Sequence, residues 1–338
     1  METKCLAYFS QLLHALDCSW YSVNLKVFRP EAISDMSYDV YIFAKSSKKA
    51  LTREAFSKYF AERANYECEE NDAYYHHPYT GVQFSFSYFE NAEEDVKTFE
   101  KNDPTAPPYP HIVFSLNYRR PAFFAEESEV ELSALVKSLG AVIQDPQYSE
   151  DASMDYDSEV FISNWKQSNE LIIRQFLAKA EAIDSMPAAT LESDWEWNKD
   201  CPKLAKKFEG CYVAPVIYVR YQGQLRRAAI WKDAQPILIP YVDGVVVERD
   251  VIKKRTEESP EADPDQAYVP FKDISSLLKD CPRGQGQTQY IEVSYKKPSR
   301  FIQDYLGNKP AANKADLKIL TVEQILPKET VGALPISK

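Results

Sequence analysis

Residues 82–88 read VQFSFSY, and this stretch decides the fold class of the first half of the chain. Large apolar side chains alternate in it with glutamine and serine. Because alternate residues of a strand point to opposite faces of a sheet, the pattern predicts a strand with one buried face and one polar face. Residues 78–81, Pro-Tyr-Thr-Gly, predict a turn before it.

Other elements extend outward from this strand. Residues 36–45 and 112–118 predict two more strands, and residues 66–70 a polar strand or loop. Thr52 predicts the N-cap of a helix that reaches Phe60, and Ser128 that of a second helix, which Gly140 ends. Val142 and Ile143 predict a short closing strand. The prediction is an α+β fold, with an N-terminal mixed sheet and two helices in ferredoxin-like order.

The chain after residue 144 has a different character. An acidic linker at 145–157 precedes a long connecting helix at 158–183, and Met186-Pro187 stops that helix. A helix at 194–208 and alternating strands then predict a C-terminal β-rich domain, with turns at 222–223 and 243–244. The predicted strands lie at 212–221, 225–231, 237–240, 245–248 and 290–295, with an exposed loop at 253–265. A last element is predicted at 319–326.

These patterns predict an acidic α+β domain at 36–150, a linker and long helix at 151–187, and a β-rich domain at 188–338. Residues 1–35 have no clear periodic partner. Two interpretations of them stay open: an N-terminal extension with its own helix and strand, or a stretch before the natural start codon.

Composition excludes several classes of protein. Only 9 of the 338 residues are Gly, and Gly81 and Gly140 alone precede Gly210, so the first 200 residues hold no dinucleotide fingerprint and no P-loop. The aromatic content of 13% argues against disorder. No apolar run reaches the length of a membrane helix. The 6 cysteines form no C-x-x-C pair, which favours reduced thiols and a cytoplasmic location.

Charge is distributed unevenly. Residues 1–186 contain 17 basic and 30 acidic residues, whereas residues 187–338 contain 23 and 21. A concentrated negative field repels nucleic acid and anionic lipid and favours a basic partner. An acidic face that only keeps the protein dissolved is the other interpretation of this asymmetry.

Residues 68–77 form the densest polar cluster of the sequence. His76 and His77, with Glu69, Glu70 or Asp72 as oxygen ligands, predict a metal or catalytic site if the segment is a loop. In an extended strand the two histidines point to opposite faces and cannot share one metal. Cys68 lies between two glutamates, which disfavours its thiolate.

Two further chemistries stay open. Carboxylates are numerous enough for a glycosidase-type acid–base pair, although the sequence cannot select two of 51. Trp195, Trp197 and Trp231 are able to stack on a sugar, but tryptophans in such patterns are more often core residues.

Three segments carry a resemblance. MSYDVYIF (36–43), TGVQFSF (80–86) and FSLNYRRPAFF (114–124) resemble uncharacterised bacterial proteins of immunity-protein type, which neutralise secreted polymorphic toxins. The resemblance covers residues 36–180. Its motifs are structural, so it implies a bacterial interaction protein without assigning any functional residue.

The sequence therefore predicts a cytoplasmic binding protein of immunity type that occludes a toxin through an acidic, aromatic surface. No cofactor, nucleic acid or membrane is expected, and no motif names a reaction. The alternative is a hydrolase or metal-dependent enzyme centred on the 68–77 cluster, with His76 and His77 as ligands. The predicted partner surface consists of Glu69, Glu70, Asp72, Tyr74, Tyr75 and Tyr79.

Overall fold

Six strands form the sheet that begins the described fold. The computed structural model describes residues 37–45, 51–89, 111–148, 154–177, 184–249, 265–284, 288–295, 297–313 and 316–332. The sheet has the order β2-β3-β4-β5-β1-β6. Its strands are β1 (Ser37–Ala44), β2 (Tyr66–Cys68), β3 (Asp72–His76), β4 (Gln83–Tyr88), β5 (Ile112–Asn117) and β6 (Ala141–Gln144).

Two helices connect strands of this sheet. Helix α1 (Arg53–Phe60) begins after Thr52, whose Oγ1 accepts from the Ala55 amide at 3.2 Å, as predicted. Helix α2 (Phe123–Leu139) ends at Gly140, which has a left-handed φ of 60°. The predicted cap at Ser128 is wrong. The cap position is Ala122, six residues earlier, and Ser128 is buried within the helix with its hydroxyl donating to the Ala125 carbonyl.

Strand β3 is an addition to the predicted element order. It pairs with β2 and β4 in antiparallel register, with Tyr74 opposite both Glu67 and Ser85. The sequence leaves these residues open between a loop and a polar edge strand, because Asp72 and the two histidines mask the alternation of Ala73 and Tyr75. The mixed α+β class is confirmed, and four antiparallel-paired strands in a row now lie between the two helices in the chain.

Helix α3 (Ser158–Leu177) packs on α2, with Trp165 fully buried. The predicted end of this helix, at residues 178–183, lies outside the described residues. A short strand, β7 (Ser185–Met186), follows, and α4 (Ala188–Lys207) begins directly after Pro187, six residues earlier than predicted.

Two further sheets share one core in the second half. The five-stranded sheet has the order β13-β12-β10-β9-β16, and the four-stranded sheet the order β14-β15-β11-β8. Trp231, Ile239, Val247 and Ile291 meet in the core that both sheets contribute to. The strands are β8 (Tyr212–Val213), β9 (Ile217–Tyr221), β10 (Gln224–Lys232), β11 (Ile237–Pro240), β12 (Gly244–Glu248), β13 (Gln266–Pro270), β14 (Arg283–Gly284), β15 (Tyr290–Val293) and β16 (Leu317–Leu320).

This half contains many strands, but their connections differ from the prediction. The single strand predicted at 212–221 is two strands in different sheets, because Pro215 lacks the N–H that a continuous ladder needs. The turn before Gly244 joins no hairpin, since β11 and β12 also lie in different sheets and β12 pairs in parallel with β10.

The remaining elements complete the described chain. Strand β13 and three helices were not predicted: α5 (Phe271–Leu277), α6 (Arg300–Gly307) and α7 (Lys328–Gly332). The last element predicted at 319–326 corresponds to the end of β16, a short 3-10 turn (Val322–Gln324) and the start of β17 (Leu326–Pro327), which pairs with β7. The predicted N-terminal segment 1–35 and most of the predicted loop at 253–265 lie outside the described residues.

Residues 38–338 form one unit by their contacts, and the predicted boundaries at 150 and 187 stay predictions. Among the described residues, no helix has both the length and the apolar composition that crossing a membrane requires. The four described cysteines, Cys68, Cys201, Cys211 and Cys281, are free thiols.

Candidate functional site

The six predicted partner-surface residues do not lie on one surface. Tyr75 is buried and its hydroxyl donates to Glu127, because β3 turns this side chain toward α2. Tyr79 packs against the core of the second half. Glu70 lies in the turn before β3 and forms an ion pair with Arg53 at 2.5 Å. Of the six residues, only Glu69, Asp72 and Tyr74 lie close to one another.

Asp72 and Tyr74 belong to a larger surface, the outward face of the six-stranded sheet. The opposite face is apolar and buried, and it carries Tyr38, Phe84 and Phe114. The outward residues are half-buried and mostly polar, and we name this surface the polar sheet face. It is defined by Asp39 and Tyr41 on β1, Asp72 and Tyr74 on β3, Ser85 and Ser87 on β4, and Ser115 on β5.

Short hydrogen bonds between strands order this face. The Ser87 hydroxyl donates to Asp72 at 2.6 Å, and the Ser115 hydroxyl donates to Asp39 at 2.7 Å. Small serines in the middle of the sheet leave a shallow surface, with tyrosines on either side. Such cross-strand hydrogen bonds hold the carboxylates in position. These side chains therefore lose less conformational entropy when a partner binds.

The polar sheet face is negatively charged. Asp39 and Asp72 lie on it, Glu67 extends it onto the edge strand β2, and no outward position of β1 to β5 carries a lysine or an arginine. The pKa of Tyr74 is raised by partial burial and by the charges of Asp72 and Glu69. Burial and the charge of Asp39 likewise raise the pKa of Tyr41. Both phenols therefore stay neutral donors at physiological pH.

A second polar cluster lies on the helix side of the same sheet, around Glu127. This carboxylate is 7% exposed and accepts hydrogen bonds from the Tyr75 hydroxyl, the Thr80 hydroxyl and the Trp195 indole at 3.1, 3.0 and 2.7 Å. Burial raises its pKa, although the three donors act in the other direction. The cluster ties β3, its following turn, α2 and α4 together, and its polar groups are all satisfied.

The two histidines of the alternative site are in different environments. His76 ends β3, and burial lowers its pKa, with a smaller effect of His77. Nδ1 of His77 accepts from the backbone amides of Tyr79 and Thr80, at 3.3 and 3.1 Å, so the ring organises the turn. Among the residues that the structure describes, no group of three or more His, Cys, Asp or Glu side chains is placed to hold a metal ion.

Other predicted candidates have structural positions. Trp195, Trp197 and Trp231 are buried, and Trp195 stacks on Phe123 with ring centroids 5.5 Å apart, so none of the three is available to a sugar. Cys68 is exposed on the edge strand. Its thiol pKa is raised, as predicted, but the cause is partial burial of the sulfur rather than the neighbouring glutamates.

One polar contact that the sequence did not indicate closes the end of the polar sheet face. Glu323, in the 3-10 turn, forms an ion pair with Arg120 at 2.9 Å and accepts from the Gln83 amide at 2.5 Å. Residues more than 200 positions apart are joined here, and such a pairing leaves no local pattern in a sequence.

The chain matches no protein-family model, no curated protein and no solved structure.

Proposed function

We propose that this chain is a binding protein that takes a basic protein partner on the polar sheet face. The observation that carries the proposal is the face itself: an ordered surface of carboxylates, serines and tyrosines, with no lysine or arginine at the outward positions of β1 to β5. Fixed negative charge next to aromatic rings matches the recognition of lysine- and arginine-rich surfaces.

The internal pairing of the polar groups supports binding over catalysis. Asp39 and Asp72 accept from serines, and Glu127 is surrounded by three donors. General acid–base catalysis needs a group that can reach a substrate proton, and these carboxylates are engaged with the protein's own donors. Occlusion of a partner needs only a preformed surface of matching shape and charge.

The partner class follows from the predicted resemblance to immunity proteins. We propose a toxin domain with a basic surface, neutralised by occlusion in the cytoplasm. The free thiols of the described cysteines support a reducing compartment. We also propose that β1, β4, β5 and β6 represent a ferredoxin-like arrangement, to which β2 and β3 add an edge; the sheet order and the antiparallel pairing of β1 with β6 support it.

Recovery of the protein from its native host tests the proposal. A variant that combines Glu67→Gln, Glu69→Gln and Asp72→Asn removes three charges at the face and keeps the shape of each side chain. We expect the wild-type chain to retain a basic protein that elutes at high salt, and the variant to lose it, because the attraction is electrostatic.

The matched control removes the same charges elsewhere, by Glu192→Gln, Asp200→Asn and Glu209→Gln, all exposed and in the second half of the chain. This control should retain the partner. Recovery of no basic partner, or equal recovery with the face variant, contradicts the proposal.

The alternative of a metal-dependent hydrolase at His76 and His77 has its own measurement. Elemental analysis of the purified protein, compared with a His76→Ala, His77→Ala variant, should show equal and substoichiometric metal if the histidines serve the turn. Stoichiometric metal that the variant loses would replace the binding proposal with the enzymatic one.

A further inference from the structure

A cavity of about 410 Å³ lies at the rim of the five-stranded sheet. The polar sheet face belongs to a different sheet, the six-stranded one. It is formed where β9, β10, β12 and β13 begin or end. Its size is within the range of sites for small molecules, which are about 300–1,000 Å³. The side chains that line it are Tyr221, Gln222, Gln224, Arg226, Asp243 and Tyr268.

Two stacked tyrosines form the aromatic part of the cavity. The rings of Tyr221 and Tyr268 lie 4.2 Å apart at an angle of 21°. They meet above small residues, because Gly244 pairs with Ala228 on the two strands between them. A Cβ at Gly244 would lie 2.2 Å from Cζ of Tyr268, so glycine is required for the ring to lie against the backbone. Burial raises the pKa of Tyr268 to about 12, which keeps its hydroxyl neutral.

Apart from Pro270, the rest of the lining is polar and balanced in charge. Arg226 and Asp243 contribute one positive and one negative charge, and Gln222 and Gln224 contribute two amides. The positions are held by the fold. The Arg226 guanidinium donates to Gln224, and Asp243 Oδ2 accepts from the Arg227 backbone amide at 2.8 Å. Gln222 and Gly223 form the tight turn between β9 and β10, both with positive φ.

This combination selects a class of ligand. An anion would need an excess of positive charge, and an apolar ligand would cover the remaining donors and acceptors of the guanidinium, the carboxylate and the amides without forming hydrogen bonds to them. A pyranose ring has a face of C–H groups that packs on the electron-rich face of an aromatic ring. Its hydroxyls both donate and accept, which suits planar amide, carboxylate and guanidinium groups. We propose that this cavity binds a neutral saccharide of one or two rings.

The proposal does not depend on the partner surface of the previous section, since the two lie on different sheets. The test uses the full chain and three probes: cellobiose, maltose and N,N′-diacetylchitobiose. Each is added at about 10 mM, roughly tenfold above a dissociation constant of about 1 mM, and binding is followed by isothermal calorimetry and by saturation-transfer NMR. We expect at least one disaccharide to bind and to receive saturation from the protein.

Variants then locate the site. Tyr221→Leu removes one ring of the stack, and Asp243→Asn removes the negative charge while keeping an acceptor for the Arg227 amide. Each should weaken binding of the responding sugar about three- to tenfold. Phe301→Leu is the matched control, because Phe301 is a 69% exposed aromatic residue away from the cavity, and it should leave the affinity unchanged. Circular dichroism confirms that each variant is folded.

Two results would overturn the proposal. One is the absence of heat and of saturation transfer with all three probes. The other is binding that Tyr221→Leu and Asp243→Asn leave unchanged in the folded variants, which would place the sugar elsewhere.

Discussion

At the scale of single residues, the most constrained carboxylate is Glu127. Its charge is buried, and its three hydrogen-bond donors come from β3, the following turn and α4. Because burial raises its pKa in the folded chain, the folded state holds the proton more strongly than the unfolded state. The contribution of Glu127 to stability is therefore complete below its unfolded pKa and is lost as the pH rises through the folded pKa.

Substitution of Glu127 by glutamine tests the direction of this pH dependence of stability. The amide can accept from the Trp195 indole and donate to a hydroxyl that rotates, so Glu127→Gln should fold. We expect the free energy of unfolding of the wild type, relative to Glu127→Gln, to decrease from acidic to neutral pH, once the pH exceeds the ordinary glutamate pKa of about 4.3. Urea unfolding of both proteins at each pH measures it. Glu127→Ala leaves three buried donors without an acceptor and should cost more than about 2 kcal/mol at either pH.

The buried ion pair of Asp194 and Arg227 is the second residue-scale feature. It joins α4 to β10, and Asp194 also accepts from the Tyr218 hydroxyl at 3.0 Å. Burial alone would lower the pKa of Arg227, but the hydrogen bond and charge of Asp194 raise it. For Asp194, burial raises the pKa, and Arg227 opposes that shift. Each member of the pair thus favours the charged form of the other.

Removal of one member should be costly. Arg227→Ala leaves the Asp194 carboxylate, whose side chain is 2% exposed, without its counter-charge. We expect a loss of about 3–5 kcal/mol in the free energy of unfolding, measured in urea at neutral pH. Lys232→Ala, at the other end of the same strand, serves as the comparison and should cost less than about 1 kcal/mol. A similar loss for both variants would contradict a special role for the pair.

At the scale of elements, α3 holds the connection between β5 and α2. Asn169, 6% exposed, accepts from the Arg119 amide at 2.6 Å and donates to the Arg120 carbonyl at 2.8 Å. These bonds fix Arg119 at a positive φ of 61°, which a residue with a Cβ adopts only at a cost. The helix therefore sets the path of the loop through one side chain.

Asn169→Ala should release that loop. The change leaves a backbone amide and a carbonyl without their partner in a buried position, and we expect a loss of about 1–3 kcal/mol in the free energy of unfolding. Ser163→Ala, at an exposed position of the same helix, is the control and should change stability by less than about 0.5 kcal/mol. Hydrogen exchange of the 118–122 amides should accelerate in Asn169→Ala alone.

The elements differ in how far the sequence predicts them. Strands β1, β4 and β5 follow from strict alternation, and α1 follows from its Thr52 cap, because these signals are local. The predicted start of α2 was wrong. Serine is a common N-cap residue, which favours a start at Ser128, but burial of the two phenylalanines before it determines where the helix begins. Pairing of β12 with β10 rather than β11 depends on contacts between distant strands, which alternation does not encode.

At the scale of the whole molecule, the end of the chain stabilises its beginning. Glu323 joins Arg120 and Gln83 of the first half, and burial lowers the pKa of Arg120 despite this partner. Glu323→Ala would leave a guanidinium that is 13% exposed without its counter-charge. We expect a loss of about 3–5 kcal/mol and a lower midpoint for the unfolding of the first sheet.

Circular dichroism and tryptophan fluorescence in urea measure this effect, with Glu209→Ala as the exposed control. A midpoint that is unchanged in Glu323→Ala would show that the two ends of the chain are energetically independent. In the wild type we expect circular dichroism and tryptophan fluorescence to give the same unfolding midpoint, because the core around Trp195 joins both halves.

Less of the candidate site than of the fold was predictable. The sequence identified Asp72, Tyr74 and the acidity of the first half, since composition is readable directly. It did not separate Tyr74 from Tyr75, because their different faces depend on β3 being a strand. It left sugar stacking open for Trp195, Trp197 and Trp231 but favoured core positions for them, and all three are buried. The half-buried stack of Tyr221 and Tyr268 left no signal, because these residues come together only in the folded sheet.

Gly244 determines more than the position of one ring. With only 9 glycines in 338 residues, this chain still places one beneath Tyr268, and a second, Gly284, beneath Tyr290 in the same manner. At both positions even a methyl group would overlap the end of a tyrosine ring, so any substitution must move that ring. In a survey of all single substitutions, these two sites should therefore show a loss of stability that follows from the displaced tyrosine, although neither has the backbone conformation that usually protects a glycine from replacement.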